Sequence, residues 1–361
     1  MDRTLLRAEF PVLTDVAYLN AGTCGPLPRA AGAAAVGLLH QAEQHGRSAD
    51  HFGVLIAAQD GRRRRLADLV GAARPEDVAL TTATTDGIVH VLQGLEWARG
   101  DEIVVAEHEH PGLLGPLAAL IRQHGVHVRT APLERIVEAV GPETKLVACS
   151  HVRWTDGQVA PAALAELRGR VPVLLDGAQG LGAVPVDVQA LGCAFYAGPG
   201  QKWLCGPIGT GMLWIDPAWQ DRVAARGPAY LNLEAPAEGL DARPWPDARA
   251  HDAIATSAEI TTSANAAFDV LAEEGWDSLM AGAADLAEAL VRRLEAAGRT
   301  VAPRGRTTLV AWSDPEPAAT RDRLAAAGVV VRDLPGTDLL RASVGAWNDE
   351  GDLERLVAAL A

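Results

Sequence analysis

Residues 173–179 read Val173-Leu-Leu-Asp-Gly-Ala-Gln179, and residues 196–207 read Tyr196-Ala-Gly-Pro-Gly-Gln-Lys-Trp-Leu-Cys-Gly-Pro207. The first is a short apolar run that ends in one carboxylate, which predicts a buried strand delivering Asp176 to the carboxyl edge of a sheet. In the second, Ala194-Phe195-Tyr196 leads into a glycine-rich turn presenting a single lysine, Lys202. Around this pair, apolar runs alternate with helical patterns from about residue 70 to residue 215. The strand candidates are Val78-Ala-Leu-Thr, Glu102-Ile-Val-Val-Ala, His127-Val-Arg-Thr, Lys145-Leu-Val-Ala-Cys, Val171-Pro-Val-Leu-Leu and Gly211-Met-Leu-Trp-Ile. Helical segments such as Gly112 to His124 and Pro161 to Gly169 lie between them. Such alternation predicts an α/β fold with a mainly parallel sheet covered on both faces. Ligands of such sheets gather beyond the carboxyl ends of the strands.

A loop-rich stretch from about Gly227 to His251 breaks this rhythm, and a helix-like segment, Ser263 to Glu273, follows it. After Gly275 come a long helix (Trp276 to Ala297), Thr308-Leu-Val-Ala-Trp, a helix near Pro317 to Ala327, Val329-Val-Val-Arg, Leu339-Leu-Arg-Ala-Ser-Val and a final helix. This pattern predicts a smaller C-terminal α+β domain. The expected division is an N-terminal segment (1–17) packing on the small domain, a large domain (18–274) and the small domain (275–361).

Of the 361 residues, 48% are hydrophobic and 22% charged, as in ordinary globular chains. A net charge of −14 disfavours nucleic acid or an anionic membrane as partner, because both would repel it. The one basic cluster, Arg62-Arg-Arg-Arg65, has helical flanks and is expected to be a solvated helix face. The N-terminus lacks an apolar core of signal-peptide length, and no stretch is long enough to span a bilayer. Four scattered cysteines (Cys24, Cys149, Cys193, Cys205) show neither metal-ligand spacing nor disulfide density. A cytoplasmic protein without a metal site is expected.

One fixed carboxylate and one lysine on a tight turn are what pyridoxal phosphate chemistry needs. The lysine would form the Schiff base, and Asp176 would keep the pyridine nitrogen protonated. The turn Thr81-Thr-Ala-Thr-Thr-Asp-Gly before a helix is suited to a phosphate, since unpaired N–H groups and the helix dipole favour an anion. Glu107-His-Glu-His-Pro-Gly112 follows a strand candidate, and His110 can lie flat on an aromatic cofactor while His108 reads as a surface residue. Positions i and i+2 of an extended segment point to opposite sides, which argues against a shared metal. Trp154 either walls the substrate pocket or packs under a loop. Gln179 is placed to bond the cofactor's phenolate oxygen. Arg341, inside an apolar strand, wants a carboxylate such as that of an amino-acid substrate, and Arg332 is a second candidate that reads as more structural.

Taken together, Thr84-Thr85-Asp86-Gly87, Glu109-His110-Pro111, Asp176-Gly-Ala-Gln179, Gln201-Lys202-Trp-Leu-Cys-Gly-Pro207 and Arg341-Ala-Ser resemble the class V aminotransferase family. Those are the fold-type I pyridoxal phosphate enzymes that include cysteine desulfurases, cysteine/cystine lyases and isopenicillin-N-epimerase-like proteins. The resemblance covers nearly the whole chain. It implies Lys202 as Schiff-base lysine and proton shuttle, with Asp176 on the pyridine nitrogen and Gln179 on the phenolate. It further implies His110 on the ring, Thr84 and Thr85 on the phosphate, and Arg341 on the substrate carboxylate. A homodimer is implied, a residue of the neighbouring subunit closing the phosphate site, and Thr256 falls near that position. Three departures matter. Desulfurases commonly carry Ser-Gly-His where this chain has Pro199-Gly-Gln201, and often an asparagine where it has Trp154. They also carry a nucleophilic cysteine shortly before the arginine, whereas no cysteine occurs from Ala327 to Arg341. Cys24 lies in the family's N-terminal substrate wall, as a pocket-lining thiol. The expectation is a C–S β-lyase acting on cysteine, cystine or a cysteine S-conjugate. The alternative is an aminotransferase or epimerase, a persulfide-forming desulfurase is disfavoured, and retention of Lys202, Asp176 and Arg341 argues against a relative without turnover.

Overall fold

The computed structural model describes residues 3–361; Met1 and Asp2, the start of the expected N-terminal segment, lie outside the described residues. The chain opens with α1 (Arg3–Ala8), β1 (Ala17–Tyr18) and two long helices, α2 (Arg29–His45) and α3 (Ala49–Val70). Strands and helices then alternate: β2 (Val78–Thr81), α4 (Thr84–Gly94), β3 (Glu102–Ala106), α5 (Pro111–His124), β4 (His127–Ala131) and β5 (Thr144–Ser150). After β6 (Val173–Asp176) come α6 (Val188–Leu191), β7 (Phe195–Pro199), β8 (Gly211–Ile215) and α7 (Ala258–Ala272). The C-terminal part comprises α8 (Trp276–Ala296), β9 (Leu309–Ser313), α9 (Pro317–Ala326), β10 (Val329–Val330), β11 (Arg332–Asp333), β12 (Leu339–Ser343) and α10 (Glu350–Leu360).

Strands β2 to β8 form one seven-stranded sheet in the order β2-β8-β7-β6-β5-β3-β4. Only β8 runs against the others, so the sheet is mainly parallel. Side chains alternate between two cores, as a period of two requires. Val104, Val147, Leu175, Tyr196 and Trp214 face one core, while Ile103, Val105, Leu146, Leu174, Phe195 and Leu213 face the other. Burial on both faces explains why the central strands read as continuous apolar runs. Strand β4 lies on the edge and is largely exposed. A second, antiparallel sheet has the order β11-β12-β9, and β1 pairs in parallel with β10. An Asn20–Ser343 bridge ties the segment after β1 to the end of β12. Near the N-terminus, Arg7 pairs with Asp352, and the Phe10 ring packs on Trp347 at 5.3 Å.

Four expectations change in detail. The sixth strand starts at Val173, after Pro172, which has no N–H for a ladder. The segment near Pro161 forms 3-10 turns over Ala162–Leu167. The helix expected at Ser263 starts at Ala258, where the Ser257 hydroxyl accepts the Ile260 N–H as an N-cap. Val329-Val-Val-Arg is two strands, β10 paired with β1 and β11 with β12.

The expected solvated basic face is a correction. Arg62 and Arg63 are buried, and only Arg64 is exposed. Arg63 forms a buried pair with Asp252 at 2.5 Å, and Arg65 reaches Asp269 at 2.7 Å. The basic run crosses from surface to interior because α3 packs against α7. Arg63 and Arg65 are held by acids far away in sequence, while Arg62 donates to the Ala264 carbonyl.

Candidate active site

The six parallel strands end on one edge of the large sheet, and residues that follow several of them converge there. The strand β6 ends at Asp176, β7 leads into the Lys202 turn, and β2 runs into the threonine turn before α4. A cavity of 230 Å³ opens at this edge, several times the roughly 30 Å³ share of one water. Thr84, Thr85, His110, Trp154, Asp176, Gln179, Lys202, Arg332 and Arg341 all line it.

Burial sets the electrostatics. Asp176 is 4% exposed, and its carboxylate accepts the Ala178 N–H at 2.8 Å. Burial raises its pKa, while that N–H and the Lys202 charge pull the other way. Burial likewise pushes the Lys202 amine down to about 8, helped by Arg341 and Arg332 against the pull of Asp176. Among the described residues neither Asp176 nor Lys202 forms an ion pair. His110 caps α5, its Nδ1 accepting the Gly112 N–H at 2.9 Å. Burial and the charges of Lys202, Arg332 and Arg341 push its pKa down to about 4, so the ring is neutral. Gln179 donates to the Gly22 carbonyl at 2.8 Å and accepts from the Trp203 indole at 3.1 Å.

The arginines lie side by side, Arg332 opposite Arg341 in the β11–β12 register. Arg341 is 1% exposed, donates to the Trp154 carbonyl and leaves its Nε without a partner. Arg332 donates to the Thr23 hydroxyl at 3.0 Å. Among the described residues neither has an acidic partner. The register brings Arg332, the second carboxylate candidate from sequence, into the cavity beside Arg341.

The residues present fit pyridoxal phosphate. Ala83 at the start of α4 offers no side-chain cap, so the first N–H groups of the helix remain for an anion beside Thr84 and Thr85. The Gln201 side-chain Oε1 is buried without a partner, as is Arg341 Nε, which suits a cavity completed by a polar molecule. Gly200 lets the lysine turn form: a Cβ there would stand 2.1 Å from the Thr210 hydroxyl.

Two expected residues fall outside the lining. Gly22 and Thr23 face the cavity, while Cys24 stands one residue beyond, its N–H bonded back to the Asn20 carbonyl. Thr256 lies in a separate cavity with Arg62, Thr81 and Thr82, accepting from Gln59 at 2.6 Å. His108 is exposed, as expected, with φ of +62°. Sequence reasoning assigned no role to Glu109, which is buried and accepts the Ser150 N–H at 2.7 Å and the Ser150 hydroxyl. A carboxylate between two histidines at a strand end was the only hint.

Comparisons with known proteins place the chain among pyridoxal phosphate enzymes of the same fold. A cysteine desulfurase of Klebsiella pneumoniae (strain 342) is 33% identical over 236 residues, covering 58% of this chain and 57% of the relative. An isopenicillin N epimerase of Amycolatopsis lactamdurans is 34% identical over 220 residues, 55% of this chain and 53% of the relative. The matched region thus spans a little over half the length of these curated relatives. Among solved structures, a cystine C–S lyase in complex with its reaction product cysteine persulfide matches with a TM-score of 0.91 and 27% identity, over 97% of this chain and 98% of that one. A mutant form with glycine covalently linked to the cofactor pyridoxal phosphate matches at 0.92 and 26%, over 98% of each chain. Since residues 17–356 match the family model described as aminotransferase class-V, the chain belongs to that family.

Proposed function

We propose that this protein is a pyridoxal phosphate-dependent C–S lyase, cleaving cysteine, cystine or a cysteine S-conjugate by β-elimination. Family membership and the fit of the cavity make pyridoxal phosphate its cofactor. When bound, that group supplies a carbonyl for the substrate amine and an electron sink for charge developing at Cα. In this reading Lys202 holds the cofactor covalently and, once released, takes the Cα proton. A pKa of about 8, against the ordinary 10.5, leaves roughly a tenth to a fifth of its amine neutral near physiological pH. Asp176 keeps the pyridine nitrogen protonated, Thr84 and Thr85 take the phosphate, and Gln179 bonds the phenolate. His110 lies on the ring without adding charge, and Arg341 binds the α-carboxylate as a fork.

The lyase reading rests on where the sulfur atoms are. Cys149, Cys193 and Cys205 are buried with their thiols pushed up in pKa, Cys193 to about 12. Cys24 is half-buried and lies outside the cavity lining, though near enough to Lys202 to act on its charge, and residues 327–341 hold no cysteine. A persulfide-forming enzyme needs an accessible thiolate near the substrate sulfur; β-elimination does not. The Cα–H bond breaks with its proton going to Lys202, and the Cβ–S bond breaks with the electron pair leaving on sulfur. The resulting enamine hydrolyses to pyruvate and ammonia. Arg332 favours a substrate with a second carboxylate, such as cystine, because one fork remains after Arg341 takes the first.

A homodimer belongs to the same proposal, with Thr256 reaching the phosphate site of the other subunit. Ile254 and Ile260, which flank Thr256 in sequence, are 66% and 38% exposed, a surface suited to a second copy. A second reading, epimerisation or transamination, is favoured by the likeness to isopenicillin N epimerase. One assay separates the two. Cystine and a panel of cysteine thioethers are incubated with the purified protein, and keto acid is measured with and without an amino acceptor. The lyase reading requires keto acid without acceptor and none from Lys202→Ala, whose visible cofactor band is also lost. Keto acid that appears only with acceptor overturns it.

A further inference from the structure

We infer that Trp154 is a positioning residue that locks the carboxylate-binding arginine and the ring-stacking histidine into one geometry. The inference rests on the roles given above to Arg341 and His110, but not on the fate of the substrate after binding.

Three contacts carry it, each from a different part of the side chain or backbone. The Trp154 carbonyl accepts from Arg341. Its indole Nε1 donates to the His108 carbonyl at 2.9 Å. Its ring meets the His110 ring edge-on, with centroids 5.1 Å apart and planes at 89°, the T-shaped arrangement aromatic pairs prefer. His108 is one of two non-glycine residues with positive φ among the described residues, a backbone state costing about 1 kcal/mol or more unless its surroundings enforce it. The indole bond to the His108 carbonyl is part of that enforcement, and the turn it holds carries His110 over the cavity.

The backbone of Trp154 is itself fixed. Arg153 pairs with Asp156, Gly157 N–H returns to the Arg153 carbonyl at 2.9 Å, and the Thr307 hydroxyl donates to the Gly157 carbonyl at 3.2 Å. Gly157 has φ of +82°, and a Cβ there would stand 2.5 Å from the Thr307 hydroxyl. Trp154 therefore spans two sheets. Its loop follows β5 of the large sheet, its carbonyl holds Arg341 of β12, and its indole holds the turn after β3. Among the described residues Arg341 has no acid to orient it, so the Trp154 carbonyl sets where the guanidinium waits. A tryptophan in this role does what a smaller polar residue cannot, because it reaches the His108 carbonyl and covers the His110 edge at once.

The test uses the loaded wild type with Trp154→Phe and Trp154→Ala. Alanine is the probe: it offers an amine and a carboxylate but no leaving group at Cβ, so its binding is independent of lyase activity. Visible circular dichroism of the cofactor band and spectral titration with alanine are the readouts, with thermal melting as control. Trp154→Phe keeps an aromatic edge and the backbone carbonyl but loses the indole N–H. It is expected to weaken alanine binding about tenfold, the equivalent of one net hydrogen bond, and to alter the visible dichroism. Trp154→Ala is expected to weaken binding further, with both variants melting within a few degrees of wild type. Wild-type dichroism and alanine affinity in Trp154→Phe would overturn the inference, as would equal losses in both variants accompanied by a collapse in melting temperature. A wild type that binds alanine yet releases no keto acid from thioethers refutes the lyase reading alone, and the alanine comparison still decides the role of Trp154.

Discussion

Glu109 directly precedes His110, and its carboxylate accepts both the N–H and the hydroxyl of Ser150, the residue paired with Asp176 across β5 and β6. Burial above all, with the nearby Asp176 charge adding to it, raises its pKa to about 7 against the bonds from Ser150 and the His110 N–H. A carboxyl whose folded pKa lies above its unfolded value stabilises the fold only while protonated. Its contribution is full below pH 4.5 and is lost as pH rises through 7, a penalty of at most about 3 kcal/mol at pH 8. Glu109→Gln removes the charge and keeps an acceptor for the Ser150 N–H. It is therefore expected to raise stability by about 1–3 kcal/mol at pH 8 and to leave it nearly unchanged at pH 4.5. Urea unfolding at the two pH values checks this; equal midpoints for variant and parent at pH 8 would count against a strained carboxylate. The motif containing Glu109 was legible in the sequence, but its role was not, because its partner lies 41 residues away on another strand. Arg332 ranked only second from sequence for a similar reason: only the strand register puts it beside Arg341.

At the scale of elements, the starts of α4 and α5 meet at the cavity. A Cβ on Gly112, in the first turn of α5, would stand 2.5 Å from the Thr85 hydroxyl and 3.0 Å from His110 Nδ1. Gly112→Ala should displace both groups without touching the cofactor itself. We expect its cofactor dissociation constant to rise about tenfold, with the helix no less stable, because alanine is the better helix former by about 1 kcal/mol. Equilibrium dialysis followed by visible absorbance reads the first, and thermal melting of the apo protein reads the second. Unchanged cofactor affinity would mean that the helix start shifts freely. The central strands were legible since residues buried on both faces leave an unbroken apolar run. Arg62-Arg-Arg-Arg65 was misread because a helical period reveals a face only when its residues differ in polarity, and four arginines in a row do not. The packing of α3 on α7 decides which of them point inward.

For the whole molecule, acid stability follows from what the two large cores enclose. His151, bonded to the Tyr196 hydroxyl at 3.1 Å, and His251 are buried, and burial pushes both down to about 4. Each binds its proton in the unfolded chain near pH 6.5 but in the folded chain only near 4. Their stabilisation is thus present above pH 6.5 and lost as pH falls through 4. Glu109 acts with the opposite sign between 4.5 and 7. With His110, which burial and the neighbouring cations also hold near 4, three histidines stand against one carboxyl. The net uptake on unfolding is about one to two protons, or a loss of about 1–3 kcal/mol per pH unit between pH 6 and 5. Denaturant midpoints across that range should fall accordingly, and more steeply in Glu109→Gln; a flat or rising series would contradict the balance. The sequence by itself determined the α/β class, the order of the strands along the chain and the placing of Asp176 and Lys202 just after strands at the sheet's carboxyl edge. Each of these is written in neighbouring residues as periodicity, turn chemistry or a charge at the end of an apolar run. Only the tertiary structure decided which strands lie side by side, that Arg332 joins Arg341, that Thr23 rather than Cys24 faces the cavity, and that Trp154 reaches both His108 and Arg341. Those relations depend on register and loop packing between residues far apart in sequence, where no local pattern records who the neighbour will be.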